Sequence, residues 1–242
     1  MLKGQRVYEG KWKSVIARYF DELRLRVKQN YNNQKSIQAR DLLDEDAEKG
    51  LVFDLLTPLQ REYIEKEGQR AMNELGLGGV FVVTPEIADA LDSYTMKLSG
   101  GITQTSINKI KEILIENSEE GISTVAEKID EFFDYSMGYR AEMIARSETI
   151  RSSNWSMVEA WKQTDVVDAK EWYTAQDERV CEFCMEMDER SIELNATFIN
   201  EGDTMLIEDE DGFVSEMVAD YRDIDEPPLH ANCRCVLLPV LK

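Results

Sequence analysis

Residues 170–184 read Lys170-Glu171-Trp172-Tyr173-Thr174-Ala175-Gln176-Asp177-Glu178-Arg179-Val180-Cys181-Glu182-Phe183-Cys184. The stretch opens as a strand with an aromatic pair and closes in a Cys-x-x-Cys knuckle, and it divides the chain in two. Upstream of Thr164 the apolar periodicity is helical, whereas downstream it is that of short strands and turns. Thr204–Glu208 and Phe213–Met217 flank Asp209-Glu210-Asp211-Gly212, whose Asp-Gly pair signals a hairpin. A last strand is expected over Arg234–Val240, where Cys235, Val236, Leu237 and Leu238 precede Pro239.

Working back from residue 164, a helix is expected from about Gly138 to Gln163, with Ile144, Ala145, Val158 and Trp161 on its apolar side. Two shorter helices, Thr105 to Asn117 and Ser123 to Phe133, flank a turn at Gly121. Thr84-Pro85 opens another, with Ile87, Leu91, Tyr94 and Leu98 inward and Gly100-Gly101 closing it. Thr57, Pro58 and Gln60 together form a capping box that starts a helix burying Tyr63, Ile64, Ala71, Met72 and Leu75, with Gly76 as its C-cap. The first helix buries Trp12, Ile16, Tyr19, Phe20, Leu23 and Val27 and ends in the Asn-rich stretch at Tyr31–Asn33. These are packing helices by pattern.

Charge is uneven. The 242 residues carry a net −20, yet residues 1–40 hold 10 basic and 3 acidic side chains, a local +7, which leaves −27 for the rest. Between Glu201 and Glu226 there are 11 acids and a single base, Arg222. Such a balance argues against a general nucleic-acid binder, since a phosphate-seeking surface needs excess cations. The basic head makes Lys11, Lys13, Arg18 and Arg24 candidates for docking an acidic partner or DNA, set against the plainer reading of a solvated basic helix. No apolar run approaches the roughly 18 residues of a membrane helix. The N-terminal MLKGQRVYEGKWK lacks the apolar core and cleavage site of a signal peptide, so a reducing cytosol is expected.

All 4 cysteines and the 1 histidine fall between residues 181 and 235, as Cys181-Glu182-Phe183-Cys184 and His230-Ala231-Asn232-Cys233-Arg234-Cys235. A Cys-x-x-Cys knuckle supports two thiolates on one tetrahedral ion, and a turn can bring His230 to the same ion. Cys233 and Cys235, two apart on an extended segment, share a face. The five candidates for four positions give Cys181, Cys184, His230 and one of Cys233 or Cys235, with Cys235 slightly favoured. Structural zinc explains every residue. A redox Cys-x-x-Cys explains the first pair alone, and buried free thiols leave the clustering with histidine unexplained. Catalytic zinc would need an open position and a nearby base, and the thiolate-rich set supplies neither.

Ala145-Arg146-Ser147-Glu148, the Trp172–Cys184 string and Pro227-Pro228-Leu229-His230-Ala231-Asn232-Cys233-Arg234-Cys235 together resemble the phage Mu F-like minor head proteins, over roughly residues 103–240. Ser147 stands where the family often has threonine. The resemblance implies a non-enzymatic, low-copy head-morphogenesis protein of a tailed phage or prophage, acting near the portal vertex. Implied partners are the portal protein, the major capsid or scaffolding protein and packaged DNA, and the implied location is the virion, after assembly in the host cytoplasm. The expected fold class is α+β: a mainly helical N-terminal region, residues 1–102, then a small zinc-stapled mixed α/β module, residues 103–242.

Around the knuckle, Asp177 and Arg179 are expected to fix its loop, with Arg179 or Arg234 bracing backbone carbonyls. Glu148 is either a buried partner for an arginine such as Arg179 or a surface residue. A catalytic Glu148–Asp177 pair lacks an accompanying nucleophile or phosphate cradle. Two other classes compete: a cytosolic zinc-dependent hydrolase or deaminase, and a DNA-binding zinc module, against which the net charge stands.

Overall fold

The computed structural model describes residues 3–33, 43–76, 78–208, 211–220 and 222–242. Among these residues, six α-helices, a π turn and five strands follow one another: α1 (Lys3–Asn33), α2 (Glu45–Glu74), α3 (Pro85–Glu116), α4 (Ile122–Tyr135), the π turn (Ser136–Arg140), α5 (Ala141–Lys162), β1 (Val167–Tyr173), α6 (Glu182–Met187), β2 (Ser191–Glu193), β3 (Thr204–Glu208), β4 (Val214–Val218) and β5 (Val236–Leu241). The helix-rich N-terminal part and the small sheet-bearing C-terminal part agree with the expected class. The compact units are discontinuous in sequence: one comprises residues 7–62 and 83–145, the other residues 1–6, 63–82 and 146–242. α3 carries the chain through residues 102 and 103 as one helix.

The first unit is helical. Trp12, Ile16, Tyr19, Phe20, Leu23 and Val27 are all buried on α1, as the spacing predicts. α2 does not start at Thr57, however, but passes through Pro58. Buried positions Val52, Leu56 and Leu59 recur across the proline, and their packing outweighs the lost backbone donor. Thr57 donates its hydroxyl back to the Phe53 carbonyl at 2.8 Å instead of capping. Gln60 is fully buried and accepts a hydrogen bond from Thr95 rather than closing a capping box. Thr84 caps α3 as expected, accepting from the Ile87 amide, but Gly100 and Gly101 lie inside the helix. The buried face there is Leu91, Thr95, Ser99 and Ile102, rotated one residue from the expected Tyr94 and Leu98, which are half-buried. Arg140, on the π turn, donates to Ser106 Oγ at 2.8 Å and to the Ile102 carbonyl at 3.0 Å, securing the stretch just past the glycines.

The second unit holds the sheet. β1 is central, with β2 and β5 antiparallel on either side, and Trp172 pairs with Leu237 across the β1–β5 ladder. The expected strands at Lys170–Thr174 and Arg234–Val240 appear as Val167–Tyr173 and Val236–Leu241. Trp172 is fully buried, edge-on to Phe198 with ring centroids 5.2 Å apart. β3 and β4 form a separate antiparallel ribbon, with Thr204 opposite Val218 and Glu208 opposite Val214. Asp209 and Glu210 of the expected turn lie outside the described residues, and Gly212 takes a positive φ of 79°. At the C-terminal end of α2, Gly76 has φ 69° and donates its amide to the Asn73 carbonyl, the C-cap expected of it. Among the described residues, no helix is long and apolar enough to cross a membrane.

Candidate metal centre

Cys181 caps the N-terminus of α6, and its sulfur accepts the Cys184 amide at 3.4 Å. That places both sulfurs of the knuckle on one side, facing the segment that precedes β5. His230 Nε2 lies 3.1 Å from Cys181 Sγ and 3.2 Å from Cys184 Sγ. Its Nδ1 lies 2.8 Å from the Ala231 carbonyl, which can only accept, so the ring proton sits on Nδ1 and the Nε2 lone pair faces the sulfurs. Cys233 Sγ is 3.7 Å from Cys184 Sγ. Tetrahedral zinc with Zn–S bonds of about 2.3 Å would hold two sulfurs roughly 3.8 Å apart, so this pair is already spaced for it. Two overlapping triads result, Cys181–Cys184–His230 and Cys184–Cys233–Cys235, each with ligand atoms within 4.8 Å of one another. The cluster can hold a metal ion, and Cys184 belongs to both triads.

The sulfurs share protons unequally. Hydrogen bonds from Cys184 and then Cys235 pull the Cys233 thiol far below its ordinary value, and the contact with Cys233 pushes Cys184 up. Cys184, Cys233 and Cys235 are buried, while Cys181 and His230 are half-buried at the mouth. A soft donor set this dense favours one dication over several protons.

The supporting residues are only partly those expected. Arg234 does not brace a carbonyl. Its guanidinium pairs both ways with the Asp177 carboxylate, at 2.6 and 2.5 Å, and this charge-assisted fork holds Asp177 well below the usual carboxylate range. Asp177 Oδ1 also accepts the Arg179 amide at 3.0 Å, closing the turn that leads into the knuckle. Arg179 itself is largely exposed, 3.5 Å from Asp177. Glu148 is buried, but its partner is Arg151 at 3.7 Å rather than Arg179. The reason is reach: Arg151 lies one turn along the same helix, whereas Arg179 sits on an exposed loop. Arg151 in turn faces Glu226 at 3.8 Å, and Arg222 binds Glu226 at 2.9 Å. Glu148, Arg151, Glu226 and Arg222 thus form a chain of ion pairs at the root of the Pro227–Cys235 segment.

Sequence reasoning did not single out Asn154. Fully buried on α5, it accepts the Leu237 amide at 2.8 Å and donates to the Ile150 carbonyl at 2.9 Å. Longer contacts reach the carbonyls of Cys235 and Pro227 at 3.4 and 3.5 Å. Two neighbours act similarly: Ser147 Oγ accepts the Asn232 amide at 3.2 Å, and Arg146 donates to Asn232 Oδ1 at 3.4 Å. They fix Asn232 in the left-handed region, φ 63°, where the chain turns from His230 towards Cys233. A signal was present in the run Arg151–Asn154, polar yet lying where the helix is expected to pack.

Of the basic candidates on α1, Lys11 pairs with Glu62 at 2.9 Å, Lys13 with Glu142 at 2.7 Å, and Arg24 with Asp21 and Asp134 at 2.5 and 3.3 Å. Arg18 is exposed and makes no ion pair among the described residues.

The cluster joins the N-terminus of α6 to the segment leading into β5, with α5 bonded to that segment, and so belongs to the class of small modules whose Cys and His residues could hold a metal ion. The match to known families is more particular. Residues 108–238 match the family described as Phage Mu protein F like protein, and the chain belongs to that family. The matched segment contains the whole cluster, α5 and the Asp177–Arg234 pair. No curated protein and no solved structure matches the chain.

Proposed function

We propose that the protein is a minor head component of a tailed phage or prophage, acting structurally in head assembly near the portal vertex and in DNA packaging or ejection. The observation that carries this reading is membership of the Mu F-like family across the segment that builds the Cys/His centre. The portal protein and the major capsid or scaffolding protein are the proposed partners, with packaged DNA as a further contact. Residues 103–242 are the proposed head-morphogenesis module and residues 1–102 the docking region. No step of this role requires turnover.

Within the module the proposed cofactor is structural zinc on Cys181, Cys184, His230 and Cys233. Cys233 is preferred over Cys235 because its sulfur is the one at 3.7 Å from the Cys184 sulfur. Zinc here would supply a closed tetrahedral cross-link. The chain's own residues set it up: Asp177 and Arg234 shape the knuckle loop, and α5 holds the His230–Cys235 segment in register. The test of function is quantitative mass spectrometry of purified particles, counting this chain against the portal protein. A low, reproducible copy number is expected, and absence from particles and procapsids would overturn the reading.

A further inference from the structure

The β3–β4 ribbon is rooted firmly but covers nothing on one side. Its root is closed by Ala219, whose amide donates to Asp203 and whose carbonyl accepts Gly202, and by the Ile199–Ile224 bridge, whose side chains are buried. Beyond that root no described residue between 200 and 218 is buried. One face, carrying Met205, Ile207, Ser215 and Met217, is half-buried. The opposite face is exposed throughout: Thr204, Leu206 and Glu208 on β3, and Val214, Glu216 and Val218 on β4. The register sets Leu206 opposite Glu216 and Val214 opposite Glu208. Leu206, Val214 and Val218 thereby form a zigzag apolar row, 64%, 50% and 41% exposed, with a carboxylate across the ribbon from each of the first two. Glu208 and Glu216 make no ion pair among the described residues. A bare two-stranded ribbon is marginal in water, and an open row of branched apolar side chains on it is a cost unless something covers it.

The charge selects the occupant. Eleven acids lie between Glu201 and Glu226, so ribbon-to-ribbon pairing of two copies and contact with DNA are both repelled. A protein surface with apolar side chains interleaved by lysine or arginine matches the row and its flanking carboxylates. On α1, by contrast, three of the four basic candidates are already spent on internal pairs. Resting on the head-protein reading above, we infer that the exposed face of the β3–β4 ribbon is a second docking surface, distinct from residues 1–102, that seats on a basic, apolar patch of another head protein.

The test compares particles made with the wild-type chain, with Leu206→Thr/Val214→Thr and with Glu208→Lys/Glu216→Lys. Circular dichroism and metal content confirm that each variant folds. Both variants are expected to fall in copy number per particle by about tenfold or more, as for the loss of interface anchors. Treating wild-type particles with a carbodiimide, which activates a carboxylate for displacement by a neighbouring lysine amine, should give amide cross-links from Glu208 or Glu216 to a lysine of a head protein. Folded variants that enter particles at the wild-type copy number would overturn the inference and leave the head-protein reading standing. A wild-type chain absent from particles would overturn that reading instead.

Discussion

Asn154→Leu is the perturbation that most directly tests how α5 holds the cluster. Leucine keeps the branched outline of asparagine but is bulkier, so no cavity opens, and the change removes the hydrogen bonds while adding some crowding at a fully buried position. The change strands the Leu237 amide, which is buried and now bonded to Asn154 Oδ1 at 2.8 Å, and an orphaned buried donor costs about 1–3 kcal/mol. The Cys235 and Pro227 carbonyls lose longer contacts of 3.4 and 3.5 Å, which brings the expected total to about 2–4 kcal/mol. Amide hydrogen exchange reads this locally and does not require the two units to unfold together. The Leu237 amide should exchange about 30- to 1,000-fold faster in the variant, with amides of α3 and α4 unchanged. Leu237 exchange within about threefold of wild type would show that the Asn154 bond carries no weight in holding β5.

Cys233→Ser should abolish stoichiometric zinc binding while Cys235→Ser retains it, read by metal analysis of the purified variants; the reverse result would assign the fourth position to Cys235. Gly68→Ala should destabilise by about 1–3 kcal/mol in denaturant unfolding despite its better helix propensity, because the new methyl would sit 2.4 Å from the Phe81 ring; a stabilised variant would show that Phe81 moves aside freely. Asp177 has its carboxyl depressed by Arg234, so its contribution is fully present above the ordinary carboxylate value near 4 and is lost as pH falls through its lower folded value. The stability gap between wild type and Asp177→Asn should therefore be flat from about pH 5 to 7 and shrink below about pH 4, whereas a gap that grows on acidification would contradict the pairing.

How far the sequence could be read follows from which forces act locally. The α1 face was legible because its six buried side chains are large, apolar and regularly spaced. That the Cys and His residues gather in one cluster was legible because the cysteines and the histidine are few and all fall between residues 181 and 235. Thr57-Pro58 and Gly100-Gly101 misled for a common reason: a proline or glycine costs a helix about 1–3 kcal/mol, and buried contacts on both sides of the break exceed that. The inward face of α3 was misplaced by one residue because it is lined with Thr95, Ser99 and Ser106, which periodicity of apolar residues does not register. Asn154 and the Arg151–Glu226 contact were missed because their partners lie 83 and 75 residues away, where neither pattern nor charge count reaches.

The proposed zinc on Cys181, Cys184, His230 and Cys233 would staple the module. Native mass spectrometry of the purified full chain, before and after chelation and in parallel with exchange of the β5 amides, tests it most directly. One zinc ion per chain is expected, with loss of protection at Leu237 and Trp172 when the ion is stripped. A chain that carries no metal when purified with zinc present, or that keeps β5 protected after the ion is removed, would contradict it.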